Sequence, residues 1–448
     1  MNPGHGDGYP LSFPQLGLLF LHELRGSSTE YHIPEVFRLS GALDVSALRR
    51  ALARLVERHE SLRTTFVFGE DEPVQVIQDA PDVTLAVEDL PLGSQQARAS
   101  ALDAALAAEW DRSFDLDVGP LLRARLLRFG DLEHGLVLTT HHIASDGWSQ
   151  GIIRRELAAL YGAYRAREDD PLAPLSHRYV DFAAWQRQIV ASDAVQPSIA
   201  YWTQSLAGLP DQLELSFRRQ SKADEPARGQ LATAVVLPEL VSQLRQLSRS
   251  NVATLYMTLL SAFALLLARE GGVRDFAIAT PIAGRQRAEF EPVVGFFVNT
   301  LAIRFALDAN AKFADVLRWT RDSTLRAYEH QHVPFERVVQ ELAPRRALGR
   351  LPLAQVLLAL HDARDDRPQL DGVDVAPVEL TTVRTRFEIE LHVYERNENL
   401  RIYWVYDETV IDPETATELL QCYLRLLADA ADAPGAYKIT AGWGESGR

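Results

Sequence analysis

The sequence predicts a mixed α/β (α+β) protein of two lobes, and three observations carry that prediction. Helical and strand-like hydrophobic patterns alternate along the whole chain. No short-period repeat or low-complexity block occurs, which removes solenoids and propellers. The 448 residues, 47% of them hydrophobic and 24% charged, suit a packed core and about two or three domains.

Each element has a local reason. Asp44 is placed to cap a helix whose apolar residues Val45, Leu48, Leu52, Leu55 and Val56 recur at three- and four-residue intervals, ending near His59. Residues 121–129 (LLRARLLRF) and 136–140 (LVLTT) read as a strand pair, the first half-exposed through its arginines and the second buried. From 148 to 167 the apolar positions Ile152, Ile153, Leu157, Leu160, Tyr161 and Tyr164 mark an amphipathic helix. The two prolines of 169–176 (DDPLAPLS) interrupt the pattern and place a boundary, giving lobes of 1–172 and 173–448. Residues 218–230 read as an exposed loop. Residues 252–268 form an apolar helix, shorter than a membrane span and carrying Thr, Ser and Tyr. A strand at 276–279, the stretch 293–305, an alternating strand at 400–406 (LRIYWVY) and a closing helix at 414–428 complete the second lobe.

Composition excludes several classes of function. Lys+Arg number 46 and Asp+Glu 61, so 46 − 61 = −15, which disfavours nonspecific binding to nucleic acid. The single cysteine, Cys422, makes no intramolecular disulfide, and residues 1–10 (MNPGHGDGYP) have neither a basic start nor an apolar run. The reading is a cytoplasmic protein with no membrane or nucleic-acid partner.

Chemistry concentrates at 141–147, HHIASDG, between the buried strand and the amphipathic helix. Strand alternation sends His141 and His142 to opposite faces, so only one of them faces a cavity. Ser145 or Asp146 is available to cap the helix, whose first N–H groups and positive dipole end then lie near both histidines. No HExxH or paired-cysteine spacing supports a metal, no GxSxG a nucleophile elbow, and no GxxxxGK[ST] a phosphate loop. By themselves the residues leave two readings open: a structural histidine pair, or an acid–base histidine acting on an unnamed substrate.

HHIASDG has the form HHxxxDG, and the sequence around it resembles the condensation domains of nonribosomal peptide synthetases. Further motifs follow the family order: 58–66 (RHESLRTTF), 179–185 (YVDFAAW), 294–300 (VGFFVNT), 330–336 (HQHVPFE) and 350–356 (RLPLAQV). The resemblance implies two chloramphenicol-acetyltransferase-like lobes in one chain, a V-shaped pseudodimer with a central tunnel. VGFFVNT would form the tunnel floor, and 385–391 (TRFEIEL) a latch crossing between lobes.

The implied chemistry is transfer of an acyl, aminoacyl or peptidyl group from a carrier-protein phosphopantetheine thioester to an amine or alcohol. The acceptor is a second carrier protein's cargo or a free small molecule such as an enediyne core. By resemblance His142 is the tunnel-facing base, and the Gly147 N–H helps bind the oxyanion. His141 and Asp146 are structural, with Arg285 of PIAGR as the partner of Asp146. Ser145, Trp148, Phe297 and Asn299 line the substrate path. No metal, ATP, bound cofactor or covalent acyl-enzyme is implied. An epimerase-type or noncatalytic relative of the same fold is the competing reading.

The opening motif departs from the family's SxAQxRLW: residues 12–19 read SFPQLGLL, with Gly17 for the arginine and Leu19 for the tryptophan. Gly349 stands where serine is usual. With the methionine start, the altered opening motif favours a free-standing condensation enzyme over a domain cut from a megasynthase.

Overall fold

A computed structural model describes residues 8–433 except 27–28, 69–71, 81–84, 220–226, 309–310, 343–351, 363–366 and 380–382. Most of the loop expected at 218–230, the segment around Gly349 and Arg350, and the carboxy-terminal tail lie outside the described residues. Among those described, no single helix is long and apolar enough to cross a membrane.

The chain divides into two compact units, and neither is continuous in sequence. The first comprises Met1–Asp193, Ala283–Val298 and Asp365–Thr381; the second comprises Ala194–Ile282, Asn299–Arg364 and Thr382–Arg448. The helix Tyr179–Val190 therefore belongs to the first unit, beyond the proline-bearing stretch that set the sequence boundary at 172/173.

The first unit centres on a five-stranded sheet. Its order is Val373–Pro377, His32–Gly41, Glu133–His141, Leu122–Arg128, Leu85–Asp89, with only the last pair parallel. The helices Val45–Arg58 and Gly147–Arg165 cover one face. Leu48, Leu52, Leu55, Ile152, Leu157 and Leu160 pack on Leu39, Leu126, Leu136 and Leu138, and every one is at most 2% exposed. Asp44 caps the first of these helices, its carboxylate accepting the Ala47 N–H at 2.9 Å. Glu156, on the second helix, ties the two together by accepting from Arg58 Nε at 3.0 Å and meeting His59 Nε2 at 2.7 Å. A three-stranded sheet of Tyr9–Pro10, Pro73–Ile77 and Thr64–Phe68 lies in the same unit.

The second unit has a six-stranded mixed sheet, ordered Asn299–Ala306, Asp275–Ile282, Val356–Asp362, Ile389–Arg396, Asn399–Asp407, Gly229–Val236. The expected apolar helix is Leu255–Glu270, begun by Thr254, and it is buried nearly all round. It packs with Pro413–Asp432 and Pro238–Ser250 against the sheet, where Trp404 meets the rings of Phe263 and Tyr423. A helix that is apolar all round needs such neighbours on every side. The stretch 293–305, expected in the second lobe, divides: 299–306 is strand, and the residues before it form a loop that belongs to the first unit.

Candidate active site

The Glu133–His141 strand is buried from its second residue onward and carries the chain into a short 3-10 turn, His142–Ala144. His141, 3% exposed, ends the strand in register with His32. Its Nδ1 accepts the Ile143 N–H at 3.1 Å, which leaves any proton of the neutral ring on Nε2. Burial, reinforced by the neighbouring His32 and His142, pushes His141 well below the usual histidine range. The rings of His32 and Phe114 stand edge-on to it at 6.0 and 5.7 Å. His141 is therefore neutral packing.

His142 differs in position and exposure. It begins the turn, donates its backbone N–H to Tyr31 O at 2.8 Å, and is half-buried. Its ring meets Phe296 edge-on at 4.7 Å. The two histidines part because the strand stops between them, a sharper separation than pleating alone supplies.

Asp146 caps the helix Gly147–Arg165 through Ser149 N–H at 2.8 Å and is fully buried. Its Oδ1 also accepts from Nη2 of Arg285, the partner expected from sequence, at 3.3 Å, and its Oδ2 accepts the Phe297 N–H at 3.0 Å. Arg285 also donates to the carbonyls of Phe290 and Val293 at 2.6 and 2.8 Å, and its guanidinium lies 3.9 Å over the Phe297 ring. Burial pulls its pKa down while Asp146 opposes the shift. Ser149, which the sequence reading missed, joins this array: its hydroxyl donates to Gly295 O at 2.9 Å and accepts from Arg285 Nη2 at 2.9 Å and Gly295 N–H at 3.1 Å. The 283–298 loop is thereby fastened to the first turn of the helix that follows the histidines.

Gly147 is the first helical residue and is exposed; a Cβ there would meet nothing within 4 Å. The helix's internal hydrogen bonding starts at Gln150 N–H to Asp146 O, so the Gly147 N–H belongs to the group that a helix leaves unpaired at its start. Trp148, 47% exposed, donates its indole N–H to Glu291 O at 3.0 Å.

Three residues expected along a substrate path are buried and packed against protein groups. Ser145 is fully buried, its hydroxyl accepting from Gln150 Nε2 at 2.8 Å while the same amide donates to Thr140 Oγ1 at 2.7 Å. Phe297 is 1% exposed in a cluster with Tyr179, Phe182, Phe290 and Val293. Asn299 is in the second unit, donating to Gln331 O and Val333 O and accepting the Phe335 N–H, all within 2.9 Å, so it braces the HQHVPFE segment. A polar or aromatic residue in a motif is as often there to satisfy buried backbone as to meet a ligand.

Motif residues elsewhere in the first unit hold the 283–298 loop or pack beside the histidine turn. Ser12 caps the helix Phe13–Arg25, and its hydroxyl lies 2.8 Å from Tyr179 Oη, which donates to Phe296 O at 2.6 Å. Ser61 of RHESLRTTF donates to Val294 O at 2.8 Å. Leu19, at the position of the family's tryptophan, is 1% exposed among Leu11, Phe66 and Ile143. Among the described residues no group of three or more His, Cys, Asp or Glu is arranged to hold a metal ion.

The two-unit α/β fold carries HHxxxDG at a strand-to-helix junction, and comparison with known proteins names the family. The condensation-domain family model matches residues 6–439, and the chain belongs to that family. It is 38% identical over 432 residues to chondramide synthase cmdD of Chondromyces crocatus, covering 96% of this chain and 11% of that relative, so it spans only a small part of the relative's length. Among solved structures it resembles the X-domain from teicoplanin biosynthesis, with TM-score 0.89 and 27% identity over 98% of both chains; that domain is also known in a complex with OxyB. It likewise resembles SgcC5 of Streptomyces globisporus, solved with a naphthyl-ethanediol and sucrose, with TM-score 0.79 and 28% identity over 95% of this chain and 99% of the other.

Proposed function

We propose that this chain catalyses acyl transfer from the phosphopantetheine thioester of a carrier protein to an amine or alcohol, forming an amide or ester in natural-product biosynthesis. The observation that carries the reading is the contrast within the histidine pair. One ring is neutral and sealed, while the other is half-buried on a turn held rigid by Tyr31, Phe296 and the Asp146–Arg285–Ser149 array.

In this reading the acceptor nitrogen or oxygen attacks the thioester carbonyl as His142 takes its proton. The tetrahedral oxyanion is met by the N–H of Gly147 at the helix start. Collapse breaks the C–S bond, and the proton passes to the leaving thiolate. The phosphopantetheine arrives as part of the substrate, and the open space at Gly147 leaves room for it. The diol-bearing ligand of SgcC5 supports an alcohol acceptor alongside an amine.

The test is to mix the chain with an acyl-loaded carrier protein and a panel of amines and alcohols, without ATP or added metal. Product and intact-protein masses are then read. The expected result is acylated acceptor and unloaded carrier, with no acyl adduct on the chain. Adduct competent for transfer would replace direct attack with a covalent route. The X-domain's complex with OxyB favours a second reading, docking of a partner protein, and absence of any product from wild-type protein would decide for it.

A further inference from the structure

A second cluster of titratable side chains lies in the second unit, away from HHIASDG in the sequence. The parallel strands Val356–Asp362 and Ile389–Arg396 place Ala359 opposite His392 and His361 opposite Tyr394. Glu390, His392 and Tyr394 alternate with Ile389, Leu391 and Val393, which are fully buried in the helix-covered core, so the polar set occupies the sheet's other face.

Three groups there form a line. Glu390 Oε2 meets His392 Nε2 at 3.0 Å, and His392 Nδ1 meets His361 Nε2 at 3.0 Å. Glu390 Oε1 is filled from the other side by Arg386 N–H at 2.7 Å, Thr385 Oγ at 3.1 Å and Phe387 N–H at 3.3 Å. His361 stacks on Tyr394 with centroids 4.3 Å apart and planes 12° apart. Its Nδ1 has no hydrogen-bond partner among the described residues, and the residue is only half-buried.

Hydrogen-bond chemistry gives this line one direction when His392 is neutral. An ionised carboxylate only accepts, so the proton between Glu390 and His392 sits on His392 Nε2. A neutral His392 then offers a lone pair at Nδ1, so His361 must donate from Nε2. That locks His361 in one tautomer and leaves its Nδ1 as an acceptor. Despite burial, Arg386, His392 and the backbone hold Glu390 down at about 2, so its carboxylate is ionised, and burial with His392 alongside holds His361 at about 3, so its ring is neutral. We infer that Glu390, His392 and His361 form a tautomer-locking relay whose outer nitrogen, His361 Nδ1, is a binding point for the N–H or O–H of a small amine or alcohol.

The test uses full-length protein labelled with 15N in histidine. Wild type is expected to show both rings protonated on Nε2, with His361 Nδ1 unprotonated at neutral pH. Titration with propylamine and, separately, 1-propanol is expected to move the His361 Nδ1 resonance saturably; the arm that responds names the donor class. 1,2-Dimethoxyethane, which has no donor, is expected to leave it in place. H392F keeps an aromatic ring but removes the lock, so His361 should become a mixture of tautomers and bind the responsive probe about twofold more weakly, as follows when about half the rings carry their proton on Nδ1. A His361 protonated on Nδ1 in the wild type, no response to either donor, or an equal response to the ether would each overturn the inference. An unchanged backbone amide spectrum in H392F separates loss of the lock from loss of the fold.

Discussion

His142 and Asp146 sit four residues apart and invite opposite mutational outcomes. His142→Ala removes a half-buried ring that packs edge-on against Phe296, so the melting temperature should hold while acyl transfer falls by about 10²- to 10⁴-fold, the usual contribution of a positioned base. Wild-type turnover would remove the histidine from the mechanism. Asp146→Ala strands Arg285, 2% exposed at its side chain, and frees the N–H groups of Ser149 and Phe297. Breaking one side of a buried ion pair costs about 3–5 kcal/mol, so a large fall in melting temperature and in soluble yield is expected. An unmoved melting temperature would instead return Asp146 to the list of reacting groups. The sequence pointed to this pair and to Arg285 because HHxxxDG and PIAGR are short, ordered motifs. It could not show that Ser145, Phe297 and Asn299 pack against protein groups, because burial is a tertiary property.

The helices and strands themselves were largely legible. Asp44, the 3.6-residue spacing of 45–56 and that of 152–164, and the uncharged run of 252–268 all act within a turn or two. What escaped was the loop of 283–298, because its order comes from distant partners: Ser149, Arg285, Ser61 and Tyr179 hold its carbonyls and N–H groups. Gly295 shows how closely it is held. A Cβ there would fall 2.0 Å from Tyr179 Cδ2, a ring fixed by its own bond to Phe296 O. Gly295→Ala should destabilise by about 1–3 kcal/mol through overpacking, and adding Tyr179→Ala should recover part of that loss. Purely additive melting shifts in the double variant would show that the two do not touch.

For the molecule as a whole, acid is the expected stress. Glu390 is held at about 2 against an ordinary 4.5, so its contribution is complete above 4.5 and lost as pH falls toward 2. His361, kept neutral down to about 3 against an ordinary 6.5, stabilises the fold above 6.5 and loses that contribution as pH falls from 6.5 toward 3. Urea midpoints measured from pH 7 to pH 4 should therefore decline, and His361→Phe should flatten the decline between pH 6.5 and 4; an identical slope in the variant would deny His361 that role. The interleaving of the two units has a consequence for how the chain is made. A nascent polypeptide that has emerged only as far as Asp193 lacks Arg285 to neutralise Asp146, the carbonyls that Ser149 and Ser61 seek, and the Val373–Pro377 strand that finishes the sheet edge at His32–Gly41. The amino-terminal half must wait on the ribosome, incompletely satisfied, until residues near 380 are synthesised, so its maturation is not vectorial. Splitting the gene after Asp193 should yield two fragments that become soluble only when expressed together.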